Sequence, residues 1–149
     1  MRDDDELVEA FLDVSRALVG VAVRSVERAD VPVTVVQHRC LVVLDEDGPL
    51  SIGRIAEELG VNQSNASRLC DRLERLSLVS RATSPDDRRS VRVRISAEGR
   101  QVLATVSDVR RQEIRAVLER LGTADAEATV QALRAFGEAA HELAPSAPG

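Results

Sequence analysis

Apolar residues return every three or four positions along the first stretch of the chain: Leu7, Val8, Phe11, Leu12, Leu18, Val19, Ala22 and Val26, with Ser15 filling one step. That spacing predicts a single amphipathic helix with a wide apolar stripe, ending before Pro32. Val35, Val36, Cys40, Leu41, Val43 and Leu44 then suit a second, largely buried helix that stops at the turn formers Asp47, Gly48 and Pro49, although a strand also fits this β-branched run. Two short helical patterns follow, Ile52 to Leu59 and Gln63 to Leu76, separated by Gly60 and preceded by the N-cap candidates Ser51 and Asn62. The next two segments, Val79 to Ala82 and Ser90 to Ile95, are rich in β-branched residues and read as strands. The polar stretch Thr83, Ser84, Pro85, Asp86 and Asp87 supplies the turn between them. Ser96 caps a long helix striped by Leu103, Val106, Ile114, Val117, Leu118 and Leu121 and broken at Gly122 and Thr123. A final helix, from about Asp125 to Leu143, aligns Val130, Leu133, Phe136, Ala140 and Leu143, and the Pro145 to Gly149 tail reads as disordered.

The expected architecture is therefore mainly α with a small β-hairpin, and 149 residues fit one compact domain. Only two residues are aromatic, Phe11 and Phe136, so the core must be built from Leu, Val, Ile and Ala. No apolar run approaches the roughly 20 residues a bilayer requires, and the acidic Asp3, Asp4, Asp5 and Glu6 replace the basic start of a secretory signal. The expected location is cytoplasmic, with no membrane partner. Cys40 and Cys70 have neither zinc-like spacing nor a disulfide framework and read as buried thiols, so no metal or cofactor is expected.

A net charge of −5 argues against a nucleic-acid partner only if charge is uniform along the chain. It is not. From Ser51 to Arg100 there are 10 Arg against 7 acids, a local balance of +3, while the remainder carries 10 Arg against 18 acids. A binding face is set by local charge. Within the basic segment, Ala56 is small enough for two helices to meet closely and Gly60 permits the turn between them. Ile55, Leu59, Ala66, Leu69, Cys70, Leu73 and Leu76 then face inward together, which leaves Gln63, Ser64, Ser67, Arg68, Arg72 and Arg75 on the opposite face. A polar, basic helix face of this kind suits the DNA major groove, with Gln63 and Asn65 able to read adenine and Arg68 able to meet guanine or phosphate. A solvated surface helix is the plain alternative. The hairpin that follows carries Arg81, Arg88, Arg89, Arg92 and Arg94, as a wing reaching the neighbouring backbone or minor groove would.

Leu69, Asp71, Arg72, Leu73, Glu74, Leu76, Leu78, Val79 and Arg81, followed by Pro85, Asp86, Asp87, Arg88, Arg89, Val91, Val93, Ile95, Ser96, Gly99 and Arg100, together resemble the MarR family of regulators. The family usually has Gly where Ser77 stands, so a tighter or differently angled turn is expected there. The resemblance implies a winged helix-turn-helix homodimer, with dimerisation helices in 1–30 and 97–144, a DNA-binding lobe in 31–96 and a tail in 145–149. Wide apolar stripes on the terminal helices agree with two-fold pairing, which would set the recognition helices about one DNA turn apart on a pseudo-palindromic operator. The expected DNA contacts are Asn62, Gln63, Ser64, Asn65, Ser67, Arg68, Arg72, Arg81, Arg88 and Arg89. Release by a small aromatic or phenolic effector is a further family implication, with Arg16, His38 and Arg39 as candidate pocket residues. Relatives that sense oxidants use a cysteine near the first helix, where this chain has none. An enzyme is not expected, because His38 and His141 fall in separate helices and no nucleophile has a neighbouring base. The more serious rival is a winged protein-interaction module or antirepressor that does not bind DNA.

Overall fold

The computed structural model describes residues 2–83, 86, 90–122 and 125–143. Its helices are α1 (Arg2–Glu27), α2 (Val35–Asp47), α3 (Ile52–Leu59), α4 (Gln63–Arg75), α5 (Ala97–Leu121) and α6 (Ala126–Leu143). The strands β1 (Val79–Thr83) and β2 (Val91–Ile95) lie between α4 and α5. The expected tail and most of the hairpin loop, including Pro85, Asp87, Arg88 and Arg89, lie outside the described residues.

Local chemistry sets most of these boundaries. The second segment is a helix, not a strand, because Thr34 and Gln37 form a reciprocal capping box. The Gln37 N–H donates to Thr34 Oγ1 (3.2 Å) and the Thr34 N–H to Gln37 Oε1 (2.9 Å). Its Val35 and Val36 fall in the exposed first turn, while Gln37, His38, Cys40, Leu41 and Leu44 are buried. Ser51 caps α3 by accepting the Arg54 N–H at 3.2 Å, and Gly60 ends that helix in the left-handed conformation, φ 64°.

The chain divides into two compact units, Met1–Glu113 and Ile114–Gly149. In the first, a single core gathers Val26 from α1, Cys40, Leu41 and Leu44 from α2, Ile55 and Ala56 from α3, and Ala66, Cys70 and Leu73 from α4. Leu78, Val79, Val93 and Ile95 from the hairpin and Val102 and Val106 from α5 complete it. Only the last turns of α1 take part. There Arg24 grips Glu113 Oε2 through Nε (3.0 Å) and Nη2 (2.9 Å), Arg28 pairs with Glu113 Oε1 (3.2 Å), and Arg110 Nε donates to the buried Ser25 Oγ (2.8 Å). The rest of the α1 stripe, Leu7, Val8, Leu12, Leu18 and Val19, is exposed within the chain.

The second unit holds the end of α5, a turn at Gly122 with φ 64°, and α6. No described residue of α6 is buried, so Val130, Leu133, Phe136 and Leu143 form an apolar face on the chain's surface and not part of its core.

β1 and β2 pair antiparallel in the register Val79↔Ile95, Arg81↔Val93 and Thr83↔Val91. Leu50, just before α3, adds a one-residue bridge to β2: the Leu50 N–H donates to Val93 O (3.0 Å), and the Leu50 carbonyl accepts the Val93 N–H in return (2.7 Å). That bridge fastens the hairpin to the start of the helix-turn-helix.

Candidate nucleic-acid interface

α4 starts at a cap. The Asn62 Oδ1 accepts the Asn65 N–H at 2.8 Å, so this carbonyl oxygen is already engaged with the helix. Ala66, Cys70 and Leu73 face the core, and the remaining positions follow the 3.6-residue period outward. Gln63, Ser64, Asn65, Arg68, Arg72 and Arg75 are exposed, while Ser67 is half-buried. Arg68 Nη2 donates to Asn65 Oδ1, which aligns these two side chains over the first two turns. Amide and guanidinium groups thus gather on the exposed N-terminal half of one short helix.

The exit from α4 is a Schellman turn. The Leu78 N–H returns to Leu73 O and the Ser77 N–H to Glu74 O, both at 2.9 Å. Such a turn needs a left-handed residue, and Ser77 supplies it at φ 61°. The serine therefore occupies a conformation that glycine adopts freely, and a left-handed turn is kept at the cost of strain. Ser96 holds the same turn from the other side: its Oγ donates to Ser77 O (2.7 Å) and accepts the Gly99 N–H (3.0 Å).

Strand parity sorts the wing arginines. Arg81 lies opposite Val93 on the inward face, where its Nη2 donates to Asp71 Oδ1 and to Ser67 O (3.4 Å) on α4. Its Nε is buried without a hydrogen-bond partner among the described residues. Arg81, one of the expected DNA contacts, is paired here with Asp71 of α4. Arg92 and Arg94 lie on the other face, across from Ala82 and Ser80, and both are exposed. Arg92 Nη1 also donates to Pro49 O at 3.3 Å. Both are among the wing arginines named from the sequence, and the alternation with buried Val93 and Ile95 sets them outward.

The candidate effector residues sit in different surroundings. Arg16 is exposed and paired with Asp13 at 2.8 Å, and Arg39 is exposed on α2. His38 is buried, and its pKa is lowered to about 4, chiefly by desolvation and secondarily by the Arg110 charge. None of the three lines the cleft of about 200 Å³ between Ala29, Asp30 and Val31 and the first turns of α5 at Glu98, Gln101, Val102 and Thr105. No three His, Cys, Asp or Glu side chains gather as a metal site among the described residues. Nor is any described helix long and apolar enough to cross a membrane.

Two helices meeting across a glycine turn, followed at once by a two-stranded hairpin fastened back to them, define a winged helix-turn-helix protein. A family model described as MarR family matches residues 29–90. The HTH-type transcriptional regulator YfiV of Bacillus subtilis (strain 168) is 30% identical over 103 residues, which span 69% of this chain and 64% of that protein. The crystal structure of RV1404 from Mycobacterium tuberculosis superposes with a TM-score of 0.83 at 35% identity, covering 97% of each chain. A MarR family protein from Bacillus stearothermophilus gives 0.80 at 25% identity, again over 97% of each. The chain belongs to the MarR family.

Proposed function

We propose that the protein is a sequence-specific regulator of transcription that binds duplex DNA as a homodimer and acts as a repressor on a pseudo-palindromic operator. The carrying observation is the N-terminal half of α4, where Gln63, Ser64, Asn65 and Arg68 stand exposed on a helix whose opposite face is fixed in the core. In this reading Gln63, Asn65 and Arg68 meet base edges, while Arg72 and the outward Arg92 and Arg94 meet phosphates. Arg88 and Arg89, at the wing tip by sequence, belong to the same phosphate-binding group. Arg81 serves indirectly, by holding β1 against α4. Support for the dimer comes from apolar side chains that each unit leaves in water: Leu7, Val8 and Leu18 on α1, and Leu133, Phe136 and Leu143 on α6. As effector residues for a small aromatic or phenolic anion, Arg16 and Arg39 supply the charge, since burial keeps His38 neutral near pH 7.

The test is fluorescence anisotropy of a labelled duplex carrying the DNA upstream of the protein's own gene, against a scrambled duplex, at several salt concentrations. The upstream duplex should be preferred and affinity should fall steeply with salt. Arg92→Ala with Arg94→Ala should weaken binding to every sequence and flatten the salt slope by roughly 1 for each phosphate no longer neutralised. Gln63→Ala should change sequence preference and leave the slope alone. Absence of binding even at low salt would refute the DNA reading in favour of the protein-docking rival. A monomer mass by light scattering would refute the dimer.

A further inference from the structure

The N-terminal half of α4 exposes Gln63, Ser64, Asn65 and Arg68, and the hydrogen bonds already formed there decide what each side chain has left to offer a base. Arg68 lies one turn beyond Asn65 and donates from Nη2 to Asn65 Oδ1. A guanidinium has no acceptor, so only the oxygen of the asparagine amide can face it, and the amide's N–H donors are left for another partner. Asn62 is fixed in the same sense, because its Oδ1 accepts the Asn65 N–H. Asp71, the first carboxylate along α4, stands about 12 Å along the helix from Gln63, and it takes the Arg81 guanidinium. Among the described residues, no side-chain hydrogen bond engages Gln63 or Ser64, and these two keep an acceptor. We propose that Asn65 and Arg68 work as one donor-only unit that selects guanine in each half-site, and that Asn65 does not read adenine by itself.

This inference rests on the DNA reading above and names the base that its surface recognises. In the major groove guanine shows two neighbouring acceptors, O6 and N7, whereas adenine sets an N6 amino donor beside its N7 acceptor. A bidentate asparagine grip on adenine needs Oδ1 to accept from N6 while Nδ2 donates to N7. In this helix that oxygen already accepts from a charged donor. Such a bond is roughly twice as strong as one between neutral groups, so the adenine amino group competes for the oxygen at a disadvantage. Arg68 meets no such conflict. One N–H of its planar fork holds Asn65, and the remaining donors match O6 and N7 of guanine. An adenine in the same place would set its amino group against the guanidinium, donor against donor. The Asn65 contact also restricts the long arginine side chain before DNA arrives, so less conformational freedom is lost on binding. Adenine reading is left to Gln63, whose amide keeps both a donor and an acceptor.

The full chain is equilibrated with a pool of duplexes carrying two randomised half-sites, and the bound fraction is sequenced for the parent, Arg68→Ala and Asn65→Ala. The parent should enrich guanine at one position of each half-site. That preference should vanish in Arg68→Ala and weaken in Asn65→Ala, which loses the clamp and keeps the arginine. Both side chains are exposed, so both variants should melt cooperatively near the parent's midpoint. The best duplex is then measured by anisotropy with that guanine altered. Adenine, or 7-deazaguanine, which lacks the N7 acceptor, should weaken parent binding about tenfold. Inosine, which keeps O6 and N7, should bind as guanine does. Enrichment of an adenine that disappears in Asn65→Ala would overturn the proposal, as would a guanine preference equal in the parent and Asn65→Ala. Binding that stays sequence-selective but indifferent to the guanine edge overturns this inference alone, whereas failure to bind any duplex of the pool at low salt removes the DNA reading beneath it as well.

Discussion

Replacing Ser77 with glycine should stabilise the protein. Ser77 is an exposed residue at φ 61°, in the left-handed region where a Cβ crowds the following carbonyl. That conformation costs a non-glycine residue about 1–2 kcal/mol. Glycine removes the crowding but brings about 0.5–1 kcal/mol of extra backbone entropy to be lost on folding. The difference favours Ser77→Gly by about 0.5–1 kcal/mol, or roughly 1–4 °C in melting temperature for a chain of this size. Every hydrogen bond of the turn survives the change, since the turn uses the Ser77 backbone alone: its N–H donates to Glu74 O and its carbonyl accepts from Ser96 Oγ. The assay is thermal and urea unfolding followed by circular dichroism at one fixed protein concentration, because self-association would make the midpoint concentration-dependent. Ser77→Ala is the control that separates the two parts of the side chain: it deletes the hydroxyl and keeps the Cβ, so its midpoint should stay close to that of the parent. A lower midpoint for Ser77→Gly, or an equal gain from Ser77→Ala, would refute the strain argument.

Gly99→Ala should act in the opposite direction. A Cβ there would sit 2.3 Å from Leu78 O and 2.7 Å from Ile95 Cγ1, so a loss of about 3 kcal/mol is expected, and a melting temperature unchanged from the parent would contradict the packing. His38 should make stability fall in mild acid. Its pKa is about 4 in the folded protein against 6.5 unfolded, so between those values the unfolded state holds more protons, and the contribution present above pH 6.5 is lost as pH falls toward 4. Urea unfolding at pH 5.5 and 7.5 should differ by about 1 kcal/mol more in the parent than in His38→Gln; equal differences would show that the imidazole is not held neutral. The Arg81–Asp71 pair is partly exposed, so a double-mutant cycle should give a coupling of only about 0.5–1 kcal/mol in stability. Arg81→Ala should nevertheless weaken DNA binding on all sequences by loosening the wing, and affinity equal to the parent's would show that the tether is dispensable.

What the sequence disclosed follows the range of the interaction involved. Helix ends and the hairpin are written in neighbouring residues, so Ser51, Asn62 and Ser96 cap where expected and β1 and β2 lie within a residue of their expected spans. The one ambiguous segment was also decidable locally, because Thr34 and Gln37 have capping-box spacing. Arg81 could have been assigned inward from parity alone, since it shares its strand face with buried Val79. The Leu50 bridge had no such signal, because it joins residues that only the tertiary fold brings together. The apolar stripes of α1 and α6 disclosed that those faces are amphipathic, but periodicity does not name what covers a face, and within the chain they stay exposed.

The most constrained spot in the winged helix-turn-helix lobe is not on the proposed DNA surface but behind it, around Leu78. Its N–H closes the exit of α4 onto Leu73, and its carbonyl accepts the Ser96 N–H at the start of α5. Gly99 lies against that same carbonyl too closely for any Cβ. Ser96 Oγ binds both the Gly99 N–H and Ser77 O. Within these few residues the recognition helix ends, the wing begins and returns, and α5 starts, each held by the others' backbone. Backbone interactions of this kind do not stretch gradually; they hold or they break. A displacement at the first turn of α5 must therefore move the end of α4 and the root of the wing together. Substitutions at Ser77, Ser96 and Gly99 consequently act on stability and DNA affinity at once, whereas exposed Gln63 acts on recognition alone. That contrast separates the residues that read DNA in this proposal from those that hold the reader in place.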